Sequence, residues 1–319
     1  MDFDKLIKEK WTSLTRKGYA MFENCMMPQK YAELKNEFDK LKVNEEDIWV
    51  CTFPKCGTTW TQEMVWLIAN NLDFETAKKV NLDQRFPFLE MSTIVDFSDE
   101  KSNLPNFQVP DCVVDSLGVI KNLKSPAFIK THLPIQLFPQ EIRNGTKKPK
   151  IIYVARDPRD VCVSFYHHST IIDYFEINFE EYCELFLAGK VLYGSFWDHI
   201  LPFWEMRHQP NILFIKYEDM KKDLKKVIKQ VAEFLGRTFS EQDLERLAKH
   251  LSFDSMKNNP AVNKEILVEL VKKFYDKKND GSFLRKGIVG DHKAAMSPEM
   301  LRKFDNWIKD NIQGTDYVV

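Results

Sequence analysis

A single α/β domain spanning residues 1–319, with a central and mostly parallel sheet flanked by helices, is the fold the sequence predicts, and three observations carry it. Four short apolar runs, at 48–53, 127–132, 150–155 and 211–216, are rich in strand formers and are followed by breaks or helical spacing. The run at 150–155 is apolar almost without interruption, as in strands of a parallel sheet covered on both faces. Three of the four runs end in cationic or imidazole side chains: Lys55, then Lys130 with His132, then Arg156. In open parallel sheets ligands bind outside the carboxyl ends of the strands, so these residues are placed along one edge.

Taken in order, residues 1–27 read as irregular and 28–41 as an amphipathic helix. The run at 48–53 gives way to Pro54-Lys55-Cys56-Gly57-Thr58-Thr59 and then to Trp60-Thr61-Gln62-Glu63-Met64-Val65-Trp66, apolar at helical spacing. That is a strand, a tight loop and a helix. The first turn of a helix has amide N–H groups without intrahelical partners and carries partial positive charge, so an anion settles there. Gly57 lets the backbone come close, Thr58 and Thr59 can cap or donate hydroxyls, and Lys55 adds a full charge. The loop is P-loop-like without being the usual nucleotide loop. The motif G-x-x-x-x-G-K-S/T would put the lysine after the glycine, and here it comes before.

Beyond that helix, residues 92–115 are rich in Pro, Asn, Asp and Ser and are expected to form a surface excursion, a lid over an apolar pocket. The strand at 150–155 ends in Arg156-Asp157-Pro158-Arg159-Asp160, and a helix follows. Arg156, directly after a buried strand, is the better anion ligand, while Arg159 and Asp160 are expected in a solvent-facing turn laced with ion pairs. The run at 211–216 leads into Tyr217 and a long helix closed by Gly236. Ser240 caps the next helix, and the last begins at Ser297-Pro298. No repeat or low-complexity tract divides the chain.

Lys and Arg total 46 against 47 for Asp and Glu, so no bulk field draws the chain to nucleic acid or to a membrane, and any anion site must be local. Six cysteines without C-x-x-C pairing read as reduced thiols of a cytoplasmic protein. No leader is evident in the first residues, and no run of about 18 apolar residues occurs. His167 and His168 are adjacent and so face different ways on a helix, and no acidic or Cys partner stands at ligand spacing. No metal is expected.

The segments FPKCGTTW at 53–60, FIKTHLP at 128–134, YVARDPRDVCVSFYHH at 153–168, YEDM at 217–220, LSFDSMKNNPAVN at 251–263 and FLRKGIVGDHK at 283–293 together resemble the cytosolic sulfotransferases. These enzymes move a sulfuryl group from 3'-phosphoadenosine 5'-phosphosulfate (PAPS) to a hydroxyl or amine, leaving 3'-phosphoadenosine 5'-phosphate (PAP). TQEMVWLIANNLDFETAK and WIKDNIQGTD also resemble the insect branch that includes retinol dehydratase. The resemblance implies that Lys55, Cys56, Gly57, Thr58 and Thr59 hold the 5'-phosphosulfate and that Trp60 stacks on adenine. It implies that Arg156 and Ser164 bind the 3'-phosphate, with Phe283, Leu284, Arg285, Lys286 and Gly287 closing over it. Tyr217, Ser252, Phe253 and Met256 match positions around the nucleotide, and Lys130 and His132 match the catalytic pair.

Sulfuryl transfer between two oxygens roughly in line needs a base on one side and positive charge around the other, much as phosphoryl transfer does. His132 suits the first task, Lys55 and Lys130 the second. Phe53, Phe86, Phe88 and His168, the last at a place often aromatic in relatives, are expected to line a flat apolar acceptor pocket. Cys56 stands where the family usually has serine and donates a hydrogen bond only weakly. The dimerisation motif of mammalian members is not recognisable at 259–270, which leaves monomer and homodimer both open. The sequence therefore points to a PAPS-dependent sulfotransferase acting on a small hydrophobic phenol, steroid or other alcohol. The alternatives are a dehydratase of the retinol type, in which sulfation is followed by elimination, and a nucleotide- or ligand-binding protein without turnover.

Overall fold

The computed structural model describes residues 2–13, 16, 18–95, 110–265, 267–269 and 281–319. All four expected strands form: β1 (Ile48–Thr52), β2 (Phe128–Thr131), β3 (Lys150–Ala155) and β4 (Ile212–Lys216). They make a parallel sheet in the order β2-β1-β3-β4, with Ile48 opposite Phe128 on one side and Lys150 on the other, and Ile151 opposite Ile212. The chain passes from β1 to the strand on one side and then crosses to the other. The order reverses at β1, where the ligand crevice of such sheets opens.

Side-chain alternation along the strands builds two cores. Trp49, Cys51 and Phe53 join Ile151, Tyr153 and Ala155 in one, and Ile48 and Val50 join Ile152 and Val154 in the other. Helix α1 (Thr58–Ala69) packs Met64, Val65, Leu67 and Ile68 into the second core, beside Val227, Ile228 and Val231 of Leu224–Phe234. Helix α2 (Pro158–Ile172) packs Val161, Cys162 and Phe165 into the first. It starts where the sequence says it should: Asp157 accepts a hydrogen bond from the Arg159 N–H, and Pro158 opens the first turn.

The described residues of 1–27 are more ordered than their sequence implies. Phe3–Lys10 is a helix capped by Asp2, Tyr19–Phe22 pairs antiparallel with Cys25–Pro28, and Trp11 lies opposite Phe175 in a two-residue pairing. Strands of two to four residues carry too little periodicity to be read locally, and Trp11 finds its partner strand far along the chain. The helix expected over 28–41 spans Tyr31–Asp39. The long helix after β4 is two helices, Tyr217–Lys222 and Leu224–Phe234, because Asp223 leaves helical geometry to cap Lys226. Of the expected lid, Met91–Ile94 and Asp111–Val114 are helical, and 96–109 lie outside the described residues. Among the described residues no helix is long and apolar enough to cross a membrane.

Candidate active site

The loop between β1 and α1 is shaped by two residues with left-handed backbone, Lys55 at φ 70° and Gly57 at φ 99°. A side chain on Gly57 would place its Cβ 2.8 Å from Cδ2 of Tyr217, so this position needs glycine both for its backbone and for the ring beside it. The loop delivers Lys55 to a cluster of positive charge. Burial, then repulsion from Lys130, Arg156 and Arg285, lowers the Lys55 amine to about 7. Lys130 is lowered to about 8, by burial first and then by Lys264, against the pull of Asp83 and Glu90. Each ammonium rests on an aromatic face: Lys55 lies 4.3 Å from the Phe283 ring centre and Lys130 lies 3.8 Å from that of Phe88.

Arg156 leaves β3 beside this cluster. Its Nη1 donates to the Lys55 carbonyl at 3.2 Å and its Nη2 to the Ile288 carbonyl at 2.9 Å, while its buried Nε has no hydrogen-bond partner among the described residues. The guanidinium lies 4.4 Å over the Tyr217 ring, and Tyr217 meets Trp60 edge to face at 5.7 Å. The Trp60 indole N–H is likewise buried and, among the described residues, unpartnered. Cations lowered by burial and by one another, beside orphaned donors, are the signature of a site that completes itself with an anion.

The segment 281–290 closes over the same place. Arg285 and Lys286 both pair with Asp291, Lys286 at 2.7 Å. Gly287, at φ 61°, could carry no side chain, since a Cβ there would meet the Phe253 ring at 2.4 Å. Asp160 anchors the segment from α2 and is not the solvent-facing residue expected. It is 1% exposed and accepts from the N–H groups of Gly290 and His292 and from the His292 ring. Burial opposes its charge, but these bonds and Arg156 bring it down to about 2. Arg159 does pair at the surface, with Asp157 and Asp305.

His132 lies just past the end of β2 and is held from every side. Its Nδ1 is 2.8 Å from the Thr52 carbonyl oxygen and 3.2 Å from the Thr52 hydroxyl, which is itself 2.7 Å from the Thr58 hydroxyl. A carbonyl only accepts, so Nδ1 carries the proton and Nε2 keeps its lone pair. The main-chain N–H of His132 donates to buried Glu90, which also accepts from the Thr131 hydroxyl. The main-chain carbonyl accepts from His199 Nε2, so His199 Nδ1 accepts from Tyr153. Phe88 and Tyr193 stand edge-on to the ring. Burial, then Lys130, keeps His132 well below the ordinary histidine range, and the imidazole is neutral.

These groups line one cavity of about 580 Å³. It brings together Lys55, Gly57, Thr58, Thr59, Trp60, Arg156, Ser164 and Tyr217 on the loop side, with Phe253, Met256, Phe283, Leu284, Arg285, Lys286 and Gly287 above them. Lys130, His132, Phe88 and His168 line its other part. Four expected residues do not reach it. Phe53 is fully buried among Phe165, Phe186, Phe196 and His199, because it continues the Trp49–Cys51 face into the first core. Phe86 is fully buried against Phe128. The Cys56 side chain is buried beneath the loop, and Ser252 caps Phe253–Lys257 by accepting from the Ser255 N–H.

The cavity also takes residues the sequence did not single out. Arg16 is ion-paired with Asp173 at 2.7 Å, and Lys264 is paired with Asp83; all four line the wall, as does Lys221, 5.7 Å from the Trp60 ring centre. Neither pair has a local motif to reveal it. All six cysteines are free thiols, and Cys112 lines the cavity. Among the described residues no three His, Cys, Asp or Glu side chains gather as metal ligands.

The family model described as "Sulfotransferase domain" matches residues 45–316. Luciferin sulfotransferase of Photinus pyralis is 44% identical over 288 residues, which is 90% of this chain and 77% of that protein. Among solved structures, retinol dehydratase in complex with androsterone and the inactive cofactor PAP superposes with a TM-score of 0.89 at 30% identity, covering 100% of this chain and 96% of that one. Retinol dehydratase in a complex with retinol and PAP gives 0.86 at 32% identity, over the same shares.

Proposed function

This chain belongs to the sulfotransferase family, and from that membership we propose that it transfers a sulfuryl group from PAPS to the hydroxyl of a small hydrophobic phenol, steroid or other alcohol, with His132 as the general base. The observation that carries the reading is the meeting, in one cavity, of a neutral imidazole whose Nε2 has no partner among the described residues and a cluster of cations that lower one another and leave the Arg156 Nε unpartnered. The orphaned Arg156 Nε and Trp60 N–H fit a nucleotide bearing a 3'-phosphate and a purine.

PAPS supplies an activated sulfuryl group on a phosphate leaving group. On this chain, His132 Nε2 takes the acceptor hydroxyl's proton as the acceptor oxygen bonds to sulfur. Lys55, with the N–H groups and hydroxyls at the start of α1, takes up the negative charge left on the phosphate oxygen when the sulfur–oxygen bond breaks. Lys130 neutralises charge on the sulfuryl oxygens, and no oxidant or metal enters the balance. Arg156, Ser164, Arg285 and Lys286 hold the 3'-phosphate, for which Arg285 and Lys286 exchange Asp291. Trp60, Tyr217, Phe253 and Met256 surround the base. A cytoplasmic location is part of the reading, supported by six free cysteines.

Retinol dehydratase, in complex with retinol and with androsterone, is similar over the whole chain, and that favours a second reading in which the ester of an allylic alcohol goes on to eliminate sulfate. Transfer of labelled sulfate from PAPS to phenols, steroids, catecholamines and retinol tests both. Stable esters support the first reading and a dehydrated alkene the second. Tight PAP binding with neither product overturns both and leaves a binding protein.

A further inference from the structure

His168 lies on α2 one turn beyond Ser164, so the two share a helix face and both line the cavity. Its ring meets Phe283 edge to face at 5.4 Å and Phe165 at 6.2 Å. Phe283 is the same ring that lies under the Lys55 ammonium. His168 therefore stands next to the transfer centre, on the acceptor side. The same cavity wall carries Phe165, Ile171, Leu192 and Phe88. Among the described residues neither of its ring nitrogens has a hydrogen-bond partner, in contrast to His132, held at Nδ1, and His199, held at both ring nitrogens.

Burial, then the positive charges of Lys55, Arg16 and Lys130 and the His132 ring, keeps His168 well below the ordinary histidine range. It is a neutral ring in the cavity wall with one N–H donor and one lone pair, neither of them hydrogen-bonded among the described residues. Leaving such a group unpaired when an apolar molecule displaces water from it is unfavourable. The same displacement by a molecule with a matching polar atom is not. A phenylalanine at this place would line the cavity equally well without that discrimination.

We propose that His168 sets acceptor specificity: it hydrogen-bonds a second polar atom, a hydroxyl or a ring nitrogen, on a flat aromatic or polycyclic acceptor whose first hydroxyl faces His132. The inference rests on the transfer reading above and narrows its acceptor class from hydrophobic alcohols in general to those with two polar groups on an apolar frame. A site with an unpaired polar group discriminates more strongly against the analogue lacking its partner than an apolar wall does against an extra group.

The test compares 2-naphthol with the isomeric dihydroxynaphthalenes in wild type, His168→Phe and His168→Gln. Both kcat/KM for transfer and affinity for the PAP-bound protein are measured, with PAP affinity determined in each variant to separate the two halves of the cavity. Expected is a preference of about 10- to 100-fold for at least one diol over the mono-ol in wild type. That ratio falls close to one in His168→Phe and is partly retained in His168→Gln, whose amide keeps a donor and an acceptor. A structural role alone would lower both acceptors together and leave the ratio intact. Equal preference in wild type, or an unchanged ratio in His168→Phe, overturns the proposal. Absence of any ester with the binding ratio preserved sinks the transfer reading instead and leaves the role of His168 standing. Should His168→Phe not fold, the same ratio read in His168→Gln decides.

Discussion

The Lys55 ammonium lies 4.3 Å from the centre of the Phe283 ring, the aromatic face it rests on inside a cluster of four cations. Its amine is lowered to about 7 in the free protein, and a bound anion favours the charged form. Above pH 7, binding of PAP must therefore bring a proton with it, and affinity falls as pH rises. Lys130, lowered to about 8, adds to the fall beyond that value. Calorimetry near pH 8 in two buffers of different ionisation enthalpy should show proton uptake on PAP binding, smaller in Lys55→Met. Proton release, or affinity that climbs with pH, would contradict this account.

His132→Ala should lower the transfer rate by roughly 10²- to 10⁴-fold, the usual worth of a positioned base. PAP binding should survive, because the nucleotide cations do not depend on the imidazole. Labelled-sulfate transfer and PAP titration on the same preparation check this. A mutant within a few-fold of wild type would mean that the acceptor proton goes elsewhere.

Gly57→Ala should cost about 1–3 kcal/mol through its left-handed backbone alone, and its Cβ would also press on Tyr217. Thermal unfolding and PAP affinity should both suffer. Tyr217→Ala introduced with it removes the clash but leaves the backbone strain, so the double variant should be more stable than the two single losses added together. Strict additivity would show that the ring yields freely.

Arg85→Ala should destabilise the fold by about 3–5 kcal/mol. Its guanidinium pairs at 2.7 Å with Glu63, both side chains being almost wholly buried, and stacks over Trp66 at 4.5 Å. His250 would be left as the remaining partner of that carboxylate. The group lies in α1 and its surroundings, outside the cavity lining, so activity per folded molecule should persist. Denaturant unfolding with activity measured on the refolded fraction separates the two effects.

The sheet was legible because its two central strands are buried on both faces and so read as continuous apolar runs, and because Lys55, Lys130, His132 and Arg156 stand where the runs stop. What a run does not reveal is which face a residue past its end will follow. Phe53 keeps the phase of Trp49 and Cys51 into the core, and Phe86 packs on Phe128, whereas Phe88, two residues on, reaches the cavity. Asp160 looked like a surface acid from its charged neighbours. Its burial depends on two N–H groups and a ring from Gly290 and His292, 130 and 132 residues further along the chain. Arg16 and Asp173 are the same case: an ion pair between distant segments has no local signature.

The Thr52 hydroxyl stands between the Thr58 hydroxyl and His132 Nδ1, at 2.7 and 3.2 Å. A hydroxyl has one hydrogen to give. When an anion at the start of α1 draws the Thr58 proton, Thr52 must donate to Thr58, and its oxygen, which faces the Nδ1–H with lone pairs in either arrangement, becomes the stronger acceptor. The proton on Nδ1 is then held more firmly and Nε2 becomes the more basic nitrogen. On the proposed transfer reading, filling the donor half of the cavity would thus prime His132 through the polarity of two hydroxyls, without any backbone movement.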